Sequence, residues 1–346
     1  MKVFSLSFLY KSLFLLVLNV IISMGGPYLL PDSIIQQGVL MTLEGKYTKA
    51  SDFWDSLEVK YGDLIDVQFF KLLNHHIYMV DFEDYSLYPE FRSNMEKLMI
   101  LARQESSYRK NFFTGAILFY DSFLLSKQDK WFKSFRQAYK GAGFLEKAVE
   151  IDREMAEPYI ALGAFKYWKS AKAGVLKIVG LISDERKKGI EYLEFALNHV
   201  DGFPKYLARD QFAWILLNEQ QPSKALKIAR KNLHELPSSR FFKWTVAHCL
   251  EGVKQYKEAR KLFFELFSSY RNGFNQNNNE YYYNYLYTFY KVLELSASIS
   301  SAGQKYEIPN LNQYVDEILM NRNKYDERER KILAKIEKYL SFIGGN

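Results

Sequence analysis

The chain has 346 residues, with 47 Lys and Arg against 40 Asp and Glu for a formal charge of +7. At 25% charged and 48% hydrophobic residues it is long enough for one large or two ordinary domains. That composition excludes a disordered chain, a collagen-like fibre and a polytopic membrane protein. The departure from average is aromatic: 26 Tyr and 27 Phe stand against 18 Gly and 8 Pro, a balance that predicts long packed helices with few turns.

The first 25 residues read as a signal peptide. Lys2 and Lys11 mark the start, Ser12 to Ile22 is almost wholly apolar, and Ser23-Met24-Gly25 puts small residues where a signal peptidase needs them. The alternative is an uncleaved anchor, since residues 3–22 are long enough to span a bilayer if Lys11 is tolerated. No cysteine follows the apolar run, so a lipoprotein anchor has no attachment point. Cleavage would remove two of the seven net charges and leave +5, with Lys and Arg spread along the chain rather than gathered on one face. The expected location is a bacterial periplasm or cell envelope, with inner-membrane anchoring through residues 3–22 as the alternative.

Residues 31–64 pair two helix-like stretches. Gly38 takes a small site in the first, Gly45 to Ala50 forms the turn and the start of the second, and Trp54 and Leu57 sit on its packing face. Residues 66–152 keep helical apolar periodicity, as in Phe69-Phe70-Leu72-Leu73 and Phe112-Phe113-Ile117-Leu118, without a comparable turn. A further pair opens at Pro158 to Gly163 and resumes at Gly189 to Ala196. Between its helices lies an apolar, basic insertion, 171–182, which either rests on an anionic membrane or folds back as an extra helix. Residues 206–239 superpose without gaps on 240–273: Ala213 meets Ala247, Leu216 meets Leu250, and Ala225 meets Ala259. Asn275 to Asn279 should be an exposed loop, and the tail ends in a charged helix from Tyr325 to Leu340 that suits a terminal cap.

This 34-residue unit, with an alanine or glycine midway along each helix and a Pro-aromatic-Leu-Gly opening at 158–163, resembles the tetratricopeptide repeat. The resemblance covers about half the chain. It implies an all-α fold: a single α-solenoid of stacked antiparallel helical hairpins. Residues 26–280 would form the array, divergent at 66–152, and 281–346 would cap it. It also implies a concave groove lined by the first helix of each hairpin. Carried onto this sequence, the groove residues are Tyr167, Trp168, Asp210, Trp214, Asn218, Trp244 and His248. Aromatic anchors with a few polar groups suit a peptide partner; the alternative is that the tryptophans pack between hairpins.

Catalytic chemistry finds little support. His75-His76 with Asp81, Glu83 and Asp84 is the densest set of metal-ligand types, yet adjacent helical side chains diverge by about 100°. Cys249 is the only cysteine, which excludes disulfide frameworks and CxxC sites, and no phosphate loop, HExxH or GxSxG is present. The expectation is a non-enzymatic scaffold or adaptor for a protein or peptide, without cofactor, metal or nucleic acid. A peripheral membrane contact is the second reading, and an envelope-processing enzyme built on His75 and His76 is the least favoured.

Overall fold

The computed structural model describes residues 29–172, 183–277, 282–301 and 307–344. The leader and residues 173–182 of the insertion lie outside the described residues. Among those described there is no strand. The helices are α1 (Asp32–Leu43), α2 (Tyr47–Tyr61), α3 (Ile65–Phe82), α4 (Tyr88–Gln104), α5 (Ser107–Lys127), α6 (Trp131–Ile151), α7 (Glu157–Lys172), α8 (Arg186–His199), α9 (Pro204–Asn218), α10 (Pro222–Glu235), α11 (Arg240–Gly252), α12 (Tyr256–Asn277), α13 (Tyr283–Ser300), α14 (Leu311–Met320) and α15 (Glu327–Gly344). The asparagine run therefore begins inside a helix: Asn275–Asn277 close α12 where a loop is expected. No helix of the described residues is long and apolar enough to cross a membrane.

The protein is all-α, built from successive antiparallel helices, and it divides into two compact units. The first comprises residues up to Val80 and Tyr85–Gln220; the second comprises Asp81–Asp84 and Gln221 onward. The division falls inside the 206–239 repeat, not at residue 280, so α9 and α10 belong to different units.

Two hairpins of the first unit, α1–α2 and α5–α6, close by one device. Gly45 (φ 76°) and Asp129 (φ 58°) are left-handed residues in three-residue turns, and Gln220 (φ 59°) adopts the same conformation after α9. The turn returns its amides to the preceding helix, with Lys46 N donating to Met41 O at 2.9 Å and Lys130 N to Leu125 O at 3.0 Å. Lys254 (φ 62°) repeats it between α11 and α12. Only Gly45 has the residue type that signals such a turn, which is why the α5–α6 hairpin is hard to see in the sequence.

Small residues set the helix crossings. A Cβ on Gly38 would lie 2.2 Å from Cζ2 of Trp54, so α1 presents bare backbone to the indole. A Cβ on Gly163 would meet Gly189 O at 2.7 Å, bringing α7 and α8 into backbone contact. Gly115 and Gly141 make the same contact between α5 and α6, at the same separation in sequence. In this contact the α5–α6 pair of the divergent region repeats the geometry of the 158–196 pair. Buried carboxylates tie the layers. Asp66 accepts from Arg109 (2.9 Å) and from the amides of Leu29 (2.8 Å) and Leu30 (3.3 Å). Asp121 accepts from the Tyr88 hydroxyl (2.7 Å), Arg92 (2.9 Å) and Gln137 (2.6 Å).

The second unit is organised around a side chain from far upstream. Asp81, 3% exposed, is paired with Arg240, accepts from the Tyr270 hydroxyl at 3.0 Å, and its carbonyl accepts from Asn284 at 2.6 Å. Arg240 also lies over the rings of Phe82 and Tyr270. At the far end Asp326 and Glu329 form a reciprocal cap for α15, each side chain accepting the other's amide at 2.8 Å.

Candidate functional site

A cleft of about 960 Å³ opens in the first unit, walled by α2, α3 and α4. Helical spacing builds it. Ala50, Trp54 and Leu57 of α2 face the core, so the opposite stripe of Thr48, Ser51, Asp52, Asp55 and Glu58 turns outward. Gln68, Lys71, His75 and Tyr78 form the matching stripe of α3, and Glu90, Asn94, Lys97 and Leu101 that of α4. One end is closed by Tyr47 against Tyr78, edge to face at 5.5 Å. The buried Asn74 secures that end, donating to Tyr47 O at 3.1 Å and accepting from Thr42 at 2.8 Å.

Five carboxylates, Asp52, Asp55, Glu58, Asp63 and Glu90, line the cleft against two lysines. Lys71 is already engaged, with Asp55 at 2.8 Å and with Glu58. Burial works against its charge, but these two carboxylates outweigh it and hold the ammonium above its ordinary pKa. Hydrogen bonds from Lys71 and Gln68 in turn lower the pKa of Glu58 against its partial burial. Asp52, Asp63 and Glu90 are solvent-exposed and have no ion-pair partner among the described residues. The cleft is therefore a negative, partly apolar surface on a chain of positive net charge. Sequence reasoning missed it, because these acids become neighbours only when α2 and α4 stand apart on either side of α3.

The expected groove residues lie elsewhere and do not form an open wall. Tyr167, Trp168, Asp210 and Trp214 are at most 1% exposed, and Trp244 and His248 are 4% and 6% exposed. Large flat rings at the layer interfaces are drawn in from both sides. Tyr167 donates to Glu219 at 2.6 Å and accepts from Asn218 at 2.6 Å; burial first, then the Glu219 contact, raises its pKa. Trp168 packs edge-on against Tyr167. In the second unit Trp244 donates to the Tyr270 hydroxyl at 3.0 Å and stacks on His248. His248 Nδ1 lies 3.4 Å from Glu251, which is also 2.7 Å from Lys291. Burial would raise Glu251, but the His248 and Lys291 contacts prevail and bring it down to about 2. These are interior networks, so the residues that pack the hairpins take the place of the expected anchors.

The histidine pair separates as its helical geometry requires. His75 lines the cleft, whereas His76 is fully buried against Tyr120 at 5.0 Å, with Phe91 and Phe123 beside it. Asp81 and Glu83 are ion-paired with Arg240 and Arg328 in the second unit. No group of His, Cys, Asp and Glu among the described residues is arranged to hold a metal ion.

No family profile matches the chain, and no curated protein sequence matches it. Among solved structures it is similar to the human IFIT1 dimer with m7Gppp-AAAA, at 13% identity and a TM-score of 0.35, over 96% of this chain and 72% of that one. A likeness of that size carries no functional argument.

Proposed function

We propose that this protein is a non-catalytic binding scaffold, a divergent relative of tetratricopeptide arrays, whose α2–α3–α4 cleft takes an extended partner segment bearing Lys or Arg. The observation that carries the reading is the excess of carboxylates in the cleft, three of them unpaired among the described residues. A cationic side chain gains their attraction, while Leu72, Leu98, Leu101 and the two tyrosines supply apolar contact for its stem. The same charges disfavour nucleic acid there, because a phosphate backbone seeks cations. Helix faces open to water give no enclosure for catalysis. The apolar, acid-free N-terminus supports export to a bacterial envelope, and sequencing the N-terminus of the protein isolated from cells tests that part.

The cleft is tested by titrating labelled peptides of matched length, rich either in lysine and leucine or in glutamate and leucine. The cationic peptide should bind, weaken as ionic strength rises, and lose about tenfold or more in affinity to a Asp52→Asn, Asp63→Asn, Glu90→Gln variant. Equal binding of both peptides, or an unaffected variant, overturns the assignment.

A further inference from the structure

A second surface, independent of the cleft, lies on the first half of α6. Trp131, Phe132, Phe135 and Tyr139 are 46%, 81%, 46% and 56% exposed. Outside this helix Tyr61 is the one other exposed aromatic among the described residues. At helical spacing the four rings fall within an arc of about 100°. They stand beside the buried stripe of Ser134, Gly141, Leu145 and Ala148, which packs the helix onto its neighbours. Tyr139 is braced edge-on by Phe165, with Lys169 over both rings, so the patch has a firm base.

Its charge is one-signed. From Lys130 to Leu145 the sequence has no Asp or Glu, and Lys130, Lys133, Arg136 and Lys140 are all exposed. Lys133, Arg136 and Lys140 have no ion-pair partner among the described residues, although the chain as a whole carries 40 acids with which cations can pair. Exposed rings cost hydration and unpaired cations attract anions, so one surface recovers both: the headgroup layer of an anionic bilayer. There Trp, Tyr and Phe settle at the acyl boundary while Lys and Arg reach phosphate. We infer that the Trp131–Lys140 face of α6 docks the protein peripherally on an anionic lipid surface.

Trp131 supplies the readout. The other four tryptophans, Trp54, Trp168, Trp214 and Trp244, are at most 4% exposed, so quenching by brominated acyl chains reports Trp131. The full chain is mixed with phosphatidylcholine vesicles, with or without phosphatidylglycerol. Binding should require the anionic lipid, shift the emission to the blue, and lose its quenching in Trp131→Phe. Lys133→Gln, Arg136→Gln and Lys140→Gln together should weaken partitioning about a hundredfold, at roughly fivefold per charge. Phe132→Ser with Phe135→Ser should abolish quenching while the helical circular dichroism stays native. Three results overturn the inference. One is binding indifferent to lipid charge and to these substitutions, which would assign it to the apolar leader. Another is a fall in oligomer mass in the Phe132, Phe135 variant with no vesicle binding, which would make the face a contact between copies. The third is capture of single-stranded RNA, lost with the three cations, in the absence of vesicle binding.

Discussion

His76 stands in a stack of Phe91, Tyr120 and Phe123, and neither ring nitrogen has a hydrogen-bond partner among the described residues. Burial, reinforced by His75, brings its pKa down from 6.5 to about 3. The unfolded chain therefore binds the proton first as pH falls, so the neutral ring contributes most above 6.5. Its contribution drops between 6.5 and about 3 by up to ~1.4 kcal/mol per pH unit. His76→Phe keeps the stack and removes the titration. Urea unfolding at pH 7 should show stability equal to or above that of the parent, with a flatter loss toward pH 4. A parallel decline in both proteins would refute this account. The step of about 100° between adjacent helical residues, already legible in the sequence, sends His75 to the cleft and His76 to the core.

At the scale of the element, hairpin geometry rests on positions where a side chain has no room. Gly38→Ala places a methyl group in the Trp54 ring, with Phe53 also within 2.8 Å. It should cost about 1–3 kcal/mol, read as a lower thermal midpoint. Trp54→Leu introduced beside it should recover part of that loss, and a purely additive double variant would show that the two residues do not share the space. The 31–64 hairpin was legible because Gly38, Gly45 and Trp54 occupy repeat positions with the expected chemistry. The α5–α6 hairpin was hidden because Asp129 replaces the turn glycine, although Gly115 and Gly141 repeat the spacing of Gly163 and Gly189. Periodicity also placed Tyr167, Trp168, Trp214 and Trp244 on helix faces without telling whether a second layer covers them. Neither candidate surface stood out. The cleft acids sit at ordinary charge density, and the α6 rings are four among many aromatics until their exposure is known.

For the whole molecule, each unit has its own core, and that of the second includes residues not contiguous with the rest of it. Asp81→Ala leaves Arg240 and Tyr270 without the carboxylate that joins them, at about 3–5 kcal/mol for a broken buried pair. Hydrogen exchange followed by mass spectrometry should show lost protection in α11, α12 and α13, with α5 to α8 unchanged. Equal loss everywhere, or none, would mean that Asp81 does not hold the second unit in this way. The repeat register suggested one continuous array. The break at Gln220 could not be read from 206–239, whose two helices match the next repeat position by position.

Asp81–Asp84 also imposes an order on synthesis. Asp81 is separated from Arg240 by 159 residues and from Asn284 by 203, so at 5–20 residues per second it leaves the ribosome roughly ten seconds or more before either partner exists. During that interval it stays hydrated, and the first unit can assemble around a helix whose last residues are still waiting. A chain stopped anywhere before α13 is left with an incomplete second unit, however much of its sequence is present.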